Sequence, residues 1–200
     1  MIKKQSNFPI GSLIISNPRN PLDGAEQSVM VLVSHTPSGS VGIQINRVFP
    51  ELDLQLVCDQ QGIWYPNSDP IYLGGPINTS KIYVIHSSDW ASPTTVKLNA
   101  EISLTHDTSV LTAISRNKGP QYFRACAGFW SWSYNSLQEQ LNPSATSRKK
   151  EPAHQWEFAP STQQNVFKSN TGIAQWRHSL SESAKIGVKH WMGQSFSGFN

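Results

Sequence analysis

Cysteine is nearly absent: Cys58 and Cys126 are the whole complement. They form no metal-binding spacing and allow one bridge at most, so a disulfide framework is excluded and buried free thiols are expected. Charge is scarce too, at 14% of the chain, which leaves the surface to Ser, Thr, Asn and Gln. The net charge of +3 is too small to argue for a phosphate-binding protein, since such proteins concentrate Lys and Arg on one face or helix. No helix-turn-helix with a basic second helix can be drawn, so no specific DNA binding is expected. No run approaches the ~18 to 20 apolar residues of a membrane span. The start, Met-Ile-Lys-Lys-Gln-Ser-Asn-Phe-Pro, lacks the apolar core of a secretory signal. A cytoplasmic protein without membrane association is the expectation.

Motifs that carry chemistry are missing as well. Gly-Gly-Pro-Ile-Asn-Thr-Ser-Lys does not satisfy G-x-x-x-x-G-K-[ST], and Gly39-Ser-Val-Gly42 is not G-x-G-x-x-G. No Ser stands in G-x-S-x-G, and the six histidines form no H-x-x-H or H-x-x-x-H pair. The expectation is therefore no catalytic residue, no cofactor and no metal.

What the sequence does have is a β-rich pattern centred on Ile71 to His86. Two apolar runs flank Gly74-Gly75-Pro76 and read as strand, tight corner, strand, with both strands covered on both faces in the middle of a sheet. The rest of the chain is expected to pack around this pair. Ile10 to Ser16 reads as a strand broken by Asn17-Pro18. Ser28 to His35 and Val41 to Ile45 form a hairpin about Thr36-Pro37-Ser38-Gly39, with one face buried. Pro50 opens a helix that Gly62 caps, Asp107 or Thr105 opens a second that stops at Arg116 to Pro120, and Leu137 and Leu141 mark a short third. Glu101 to Leu104 and Tyr122 to Phe129 read as strands. Ile173, Trp176 or Arg177, Leu180 and Ala184 have a helical period.

One domain over residues 1–186 accommodates all of this. Residues 142–154 hold no large apolar residue and carry the one compact basic cluster, Arg148-Lys149-Lys150, so they read as a solvated inserted loop. Residues 187–200 read as a tail in which Trp191, Phe196 and Phe199 stand among Gly and Ser, and these aromatics are expected to dock on a partner protein or a second copy.

Four segments together resemble the AlgH/YqgE family of small bacterial proteins: Gly11 to Pro18; the hairpin from Ser28 to Arg47, ending Gly-Ile-Gln-Ile-Asn-Arg; Leu73-Gly-Gly-Pro-Ile77 with Val84-Ile-His86; and Val110 to Leu141. Val166-Phe167 and Trp176 to Leu180 are similar to its closing segment. Departures are Val48, where the family carries Pro, and Ser131-Trp132-Ser133-Tyr134-Asn135 in place of a glycine-rich turn. The resemblance implies an α+β fold in which a bent, mixed or antiparallel sheet forms a partial barrel with helices packed outside. It also implies a regulatory association without a defined activity.

Two functional expectations stand. The first is a non-enzymatic regulatory or protein-interaction domain of this family type. The second is a small-molecule or anion binder, with or without catalysis, using a rim of strand ends near the Gly74-Gly75-Pro76 corner, where His35, Asn46, Arg47 and His86 would gather.

Overall fold

The computed structural model describes residues 9–19, 21–133, 136–141, 155–168 and 171–196, with 187–196 by backbone alone. In chain order the elements are β1 (Leu13–Ser16), β2 (Val29–Thr36), β3 (Gly39–Gln44), β4 (Val48–Asp53), α1 (Leu54–Gln60), β5 (Pro70–Leu73), β6 (Ile77–Ser87), β7 (Val96–Lys97), β8 (Ile102–Thr105), α2 (Thr108–Ser115), β9 (Phe123–Trp132), α3 (Ser136–Leu141), β10 (Trp156–Ala159), a π-helical turn (Gln164–Lys168) and α4 (Gly172–Phe196).

β9 organises the sheet. One branch runs β10-β1-β2-β3-β9, and the other joins β9 to β6, β8 and β7 on one side and to β5 and β4 on the other. The strand on either side of the Gly74-Gly75-Pro76 corner therefore does not meet its neighbour in sequence. β5 runs parallel to β9 and β6 antiparallel to it, so β9 lies between them. Glycine is required where the chain crosses over: a Cβ on Gly74 would lie 2.3 Å from the Gly128 carbonyl oxygen, and one on Gly75 would lie 2.2 Å from the Phe129 carbonyl carbon. Backbone against backbone cannot give way at that distance.

Period-two alternation divides the core. Leu13, Ile15, Val29, Val31, Ile85 and Cys126 face the inside of the curl, where Trp176 and Leu180 of α4 close it. Ile14, Met30 and Leu32 point the other way, to Trp132, Trp156 and the α3 residues Leu137 and Leu141. α1 and α2 cover the second branch through Leu54, Val57, Val110, Leu111 and Ile114.

Several sequence expectations are corrected. The base of the hairpin is buried on both faces, not one, because a separate cluster covers each side. Pro50 and Glu51 lie in β4, and α1 starts four residues after Pro50 with Asp53 as its cap, whose carboxylate accepts from the Leu56 amide at 2.8 Å. β6 is exposed over its first four residues. β9 continues through Trp132, where a turn was expected. α4 packs Trp176 and Leu180 on the core but also buries Gln175 and Ser179 and exposes Ile173 and Ala184, so its apolar period marks its inner face only in part. Its backbone runs on past Gly187 and Gly193 to Phe196, continuing the helix where a tail was expected. Residues 142–154 and Phe199 lie outside the described residues, as do the side chains of Trp191 and Phe196.

Candidate functional site

Of the residues expected to share a rim, Arg47 and the glycine corner do meet, since the Leu73 amide donates to the Arg47 carbonyl at 2.7 Å and the Gln44 amide to the Gly74 carbonyl at 2.8 Å, but His35 and His86 lie elsewhere. His35 sits at the turn end of the β2–β3 hairpin, its Nδ1 2.8 Å from the Ser40 hydroxyl, whereas Asn46 and Arg47 follow the other end of β3. The seven residue steps from Ser40 to Arg47 separate the two ends by about 20 Å of extended chain. His86 is at the far end of β6 from the glycine corner: its partner Phe123 and the corner's neighbour Phe129 are six steps apart on β9, again about 20 Å.

Each has a structural job where it stands. His86 is fully buried, with Nδ1 2.8 Å from the Ser87 carbonyl and Nε2 3.0 Å from the Thr105 hydroxyl. Asn46 accepts from the Val29 amide at 2.9 Å and donates to the carbonyls of Gln27 and Gly172, pinning the start of α4 to the barrel. Arg47 donates to the Glu26 carbonyl at 3.2 Å. The Gly74 N–H, offered as part of an anion nest, donates to the Ala127 carbonyl at 2.8 Å. Both thiols are buried and free, and burial pushes the Cys126 thiol up to about 12, away from reactive thiolate chemistry.

A different feature draws groups together. Between α1 and α2 lies a cleft of about 330 Å³, lined among others by Val57, Leu111, His106 and the consecutive β6 residues Thr79, Ser80, Lys81 and Ile82. The register with β9 slips between Ile77 and Ile82, so side chains here do not alternate regularly, and the cleft meets all four residues from the strand's open side. The topology explains why that edge is open. β8 pairs with β6 only from Val84 opposite Thr105 onward, then turns away at His106-Asp107 into α2. The lane that β8 vacates, beside residues 79–83, is the cleft.

Local geometry makes the edge prominent. Ile77 pairs with Phe129 and Ile82 with Ala127, so five steps on β6 face two on β9 and the chain bulges at Asn78, Thr79 and Ser80. Asn78 takes φ 55 to make the bend. At the rim, Lys81 Nζ stands 5.5 Å from the centre of the Tyr83 ring, and the His106 ring meets that ring edge-on at 6.4 Å. Asp107 is occupied: it accepts from the Ser109 amide at 2.8 Å and from the Thr94 hydroxyl. Sequence reasoning passed over this cleft because no single segment carries it. The polar Asn-Thr-Ser-Lys that starts β6 is the one signal the sequence offered.

Among the described residues no helix is long and apolar enough to cross a membrane, and no cluster of His, Cys, Asp or Glu has a metal-binding arrangement.

A curled half-barrel, branched at one shared strand, with α1, α2 and α3 on its outer faces and α4 closing its inside, places the molecule among α+β proteins. The chain belongs to the AlgH-like family, whose model matches residues 13–185. It is 31% identical over 160 residues to a UPF0301 protein of Methylococcus capsulatus, covering 74% of this chain and 88% of that one. It is 25% identical over 197 residues to a UPF0301 protein of Desulforapulum autotrophicum, covering 95% and 96% of the two. Among solved structures it is similar to the AlgH protein of Pseudomonas aeruginosa, at TM-score 0.70 and 23% identity over 91% of this chain and 92% of that one. That likeness carries the fold.

Proposed function

We propose that this protein is a non-catalytic interaction domain that takes an extended segment of a partner protein as an added strand along the open edge of β6. The observation that carries this reading is the cleft's contact with four consecutive residues of one strand, Thr79 to Ile82. Strand addition draws its affinity from backbone hydrogen bonds and its specificity from alternate side chains. Here the floor offers Val57, Ile82 and Leu111 to an apolar side chain, and Lys81 at the rim favours an acidic one. A domain that holds a segment without altering it acts by sequestering or presenting it, a mode of action compatible with the regulatory association that the family resemblance implies.

The test is titration of the labelled full chain with extended peptides that alternate apolar residues and carry one Asp or Glu. Amide shifts confined to residues 79–84 and 105–111 are expected. Ser80→Pro, which removes an amide donor from the bulge, and Lys81→Glu are each expected to weaken binding by about tenfold with little change in the unfolding midpoint. Peptide binding that maps elsewhere, or that both variants leave unchanged, overturns the proposal.

A further inference from the structure

The end of β6 far from the glycine corner carries His86, which is 0% exposed. Its Nδ1 lies 2.8 Å from the Ser87 carbonyl, which can only accept, so Nδ1 holds the proton of the neutral ring and Nε2 is its acceptor. Nε2 meets the Thr105 hydroxyl at 3.0 Å. From there one hydroxyl follows another outward: Thr105 Oγ1 to Thr95 Oγ1 at 2.7 Å, Thr95 to Ser92 Oγ at 3.3 Å, Ser92 to Thr94 Oγ1 at 3.0 Å, and Thr94 to a carboxylate oxygen of Asp107. Asp107 lines the β6 cleft, so the chain joins the core to that rim.

Counting hydrogens shows what the chain can carry. It has five links and four hydroxyls. A carboxylate only accepts, so Thr94 donates to Asp107 and Ser92 to Thr94. Nε2 of the neutral ring only accepts, so Thr105 donates to His86 and Thr95 to Thr105. No hydrogen is left for the link between Thr95 and Ser92, which is the longest of the five at 3.3 Å. One added proton fills it. A proton arriving on Asp107 lets Thr94 and Ser92 turn toward His86. One shift across each link then leaves the proton on Nε2, the carboxylate ionised again and every donor pointing from the imidazolium toward Asp107.

Few other charges bear on the two ends. The residues paired with His86 on β8 and β9 are Ser103 and Phe123, and the Trp90 ring meets the imidazole edge-on at 5.5 Å. Arg124 pairs with Ile85 and so faces the other side of the sheet. Asp89, just beyond β6, is the charge that favours protonation of His86, against the larger effect of burial. At the rim, Asp107 shares the cleft with Lys81 and His106. We propose that Thr105, Thr95, Ser92 and Thr94 form a proton relay between Asp107 and His86, which makes a buried residue of the core a sensor of protons at the β6 cleft. The relay does not depend on what the cleft holds.

The experiment follows the nitrogen-15-labelled full chain by NMR from pH 8 to pH 5. The proton is expected to enter His86 at Nε2, and the Ser92 amide, which donates to Thr95 Oγ1 at 2.8 Å, is expected to move at the same midpoint. Thr95→Val keeps the shape of the side chain but leaves the Thr105 hydroxyl nothing to donate to once Nε2 is protonated. The His86 midpoint is then expected to fall by about one pH unit, a tenfold loss of proton affinity. Asp107→Asn keeps a good helix cap and removes the carboxylate that takes up the proton. It is expected to slow exchange between the neutral and charged rings about tenfold or more, read from the His86 line widths. Thermal midpoints of both variants at pH 8, where His86 is neutral, show that they are folded. A proton that enters at Nδ1, a His86 midpoint that stays in place in Thr95→Val, or an exchange rate that Asp107→Asn leaves unchanged overturns the proposal.

Discussion

Gly75 stands where the chain leaves β5 to pass over β9, and the 2.2 Å approach to the Phe129 carbonyl carbon leaves no space for a methyl group. Gly75→Ala forces two backbones apart at the strand shared by both branches. The expected loss is about 2–3 kcal/mol, at the upper end of the cost of overpacking. Gly187 is inside α4, where replacing glycine by alanine favours the helix by about 0.5–1 kcal/mol. Denaturant midpoints of the two variants check this: Gly75→Ala should fall well below the parent and Gly187→Ala should match or exceed it. Equal midpoints would show that the crossover tolerates a side chain. The Gly-Gly-Pro spelling announced a special corner. The need for glycine comes from Gly128 and Phe129, more than fifty positions later.

At the scale of elements, α4 shows why periodicity located a helix but found only part of its buried face. Its inner surface is held by hydrogen bonds: Gln175 accepts from Arg124 and donates to the Asn165 carbonyl at 2.9 Å, Trp176 Nε1 donates to the Ser16 carbonyl at 2.8 Å, and Ser183 donates to the Phe158 carbonyl at 3.0 Å. Polar residues at buried positions look like solvent positions in a sequence, because their partners lie on β1, β9, β10 and the π-helical turn. Among the described residues the docking bonds fall within residues 172–183, and deletion of residues 188–200 is expected to leave the thermal midpoint nearly unchanged. Trp176→Ala, which removes both a donor and an aromatic packed on the core, should cost about 2–3 kcal/mol. A truncation as costly as Trp176→Ala would show that the end of the chain belongs to the core.

For the molecule as a whole, His86 makes stability depend on pH in the mildly acidic range. Burial is the main cause that lowers its pKa, against the Ser87 carbonyl and the Asp89 charge, which raise it. In the unfolded chain it titrates near the usual value of about 6.5. Between the two pKa values the unfolded state binds the extra proton, so stability rises with pH in that interval. Stability should be level above about pH 7 and decline as pH falls through about 6.5 toward the lower, folded value. Urea midpoints measured from pH 8 to pH 5 check the sign, and His86→Gln should flatten the curve in that window. A decline of the same size in the variant would assign it to other groups.

Most of the strands, the short helices, the caps at Asp107 and Gly62, the hairpin turn and the buried thiols were legible, because each depends on residues within a few positions of one another, whereas β4, β7 and β10 were not read as strands. The family was legible too, from motifs in a fixed order. Lys81 and Arg124 were visible as lone cations in or beside apolar runs, but neither spacing nor composition says what faces them. Tertiary structure alone decided that β9 would insert between β5 and β6, that β8 would vacate the edge of β6, and that Ser92, Thr94, Thr95 and Thr105 would line up between His86 and Asp107. It also parted His35, Arg47 and His86, which strand ends had suggested would meet. The physical reason is the same in each case: strand partners are chosen by burial of both faces of the sheet against clusters drawn from the entire chain, and a local pattern carries no record of which distant strand arrives alongside.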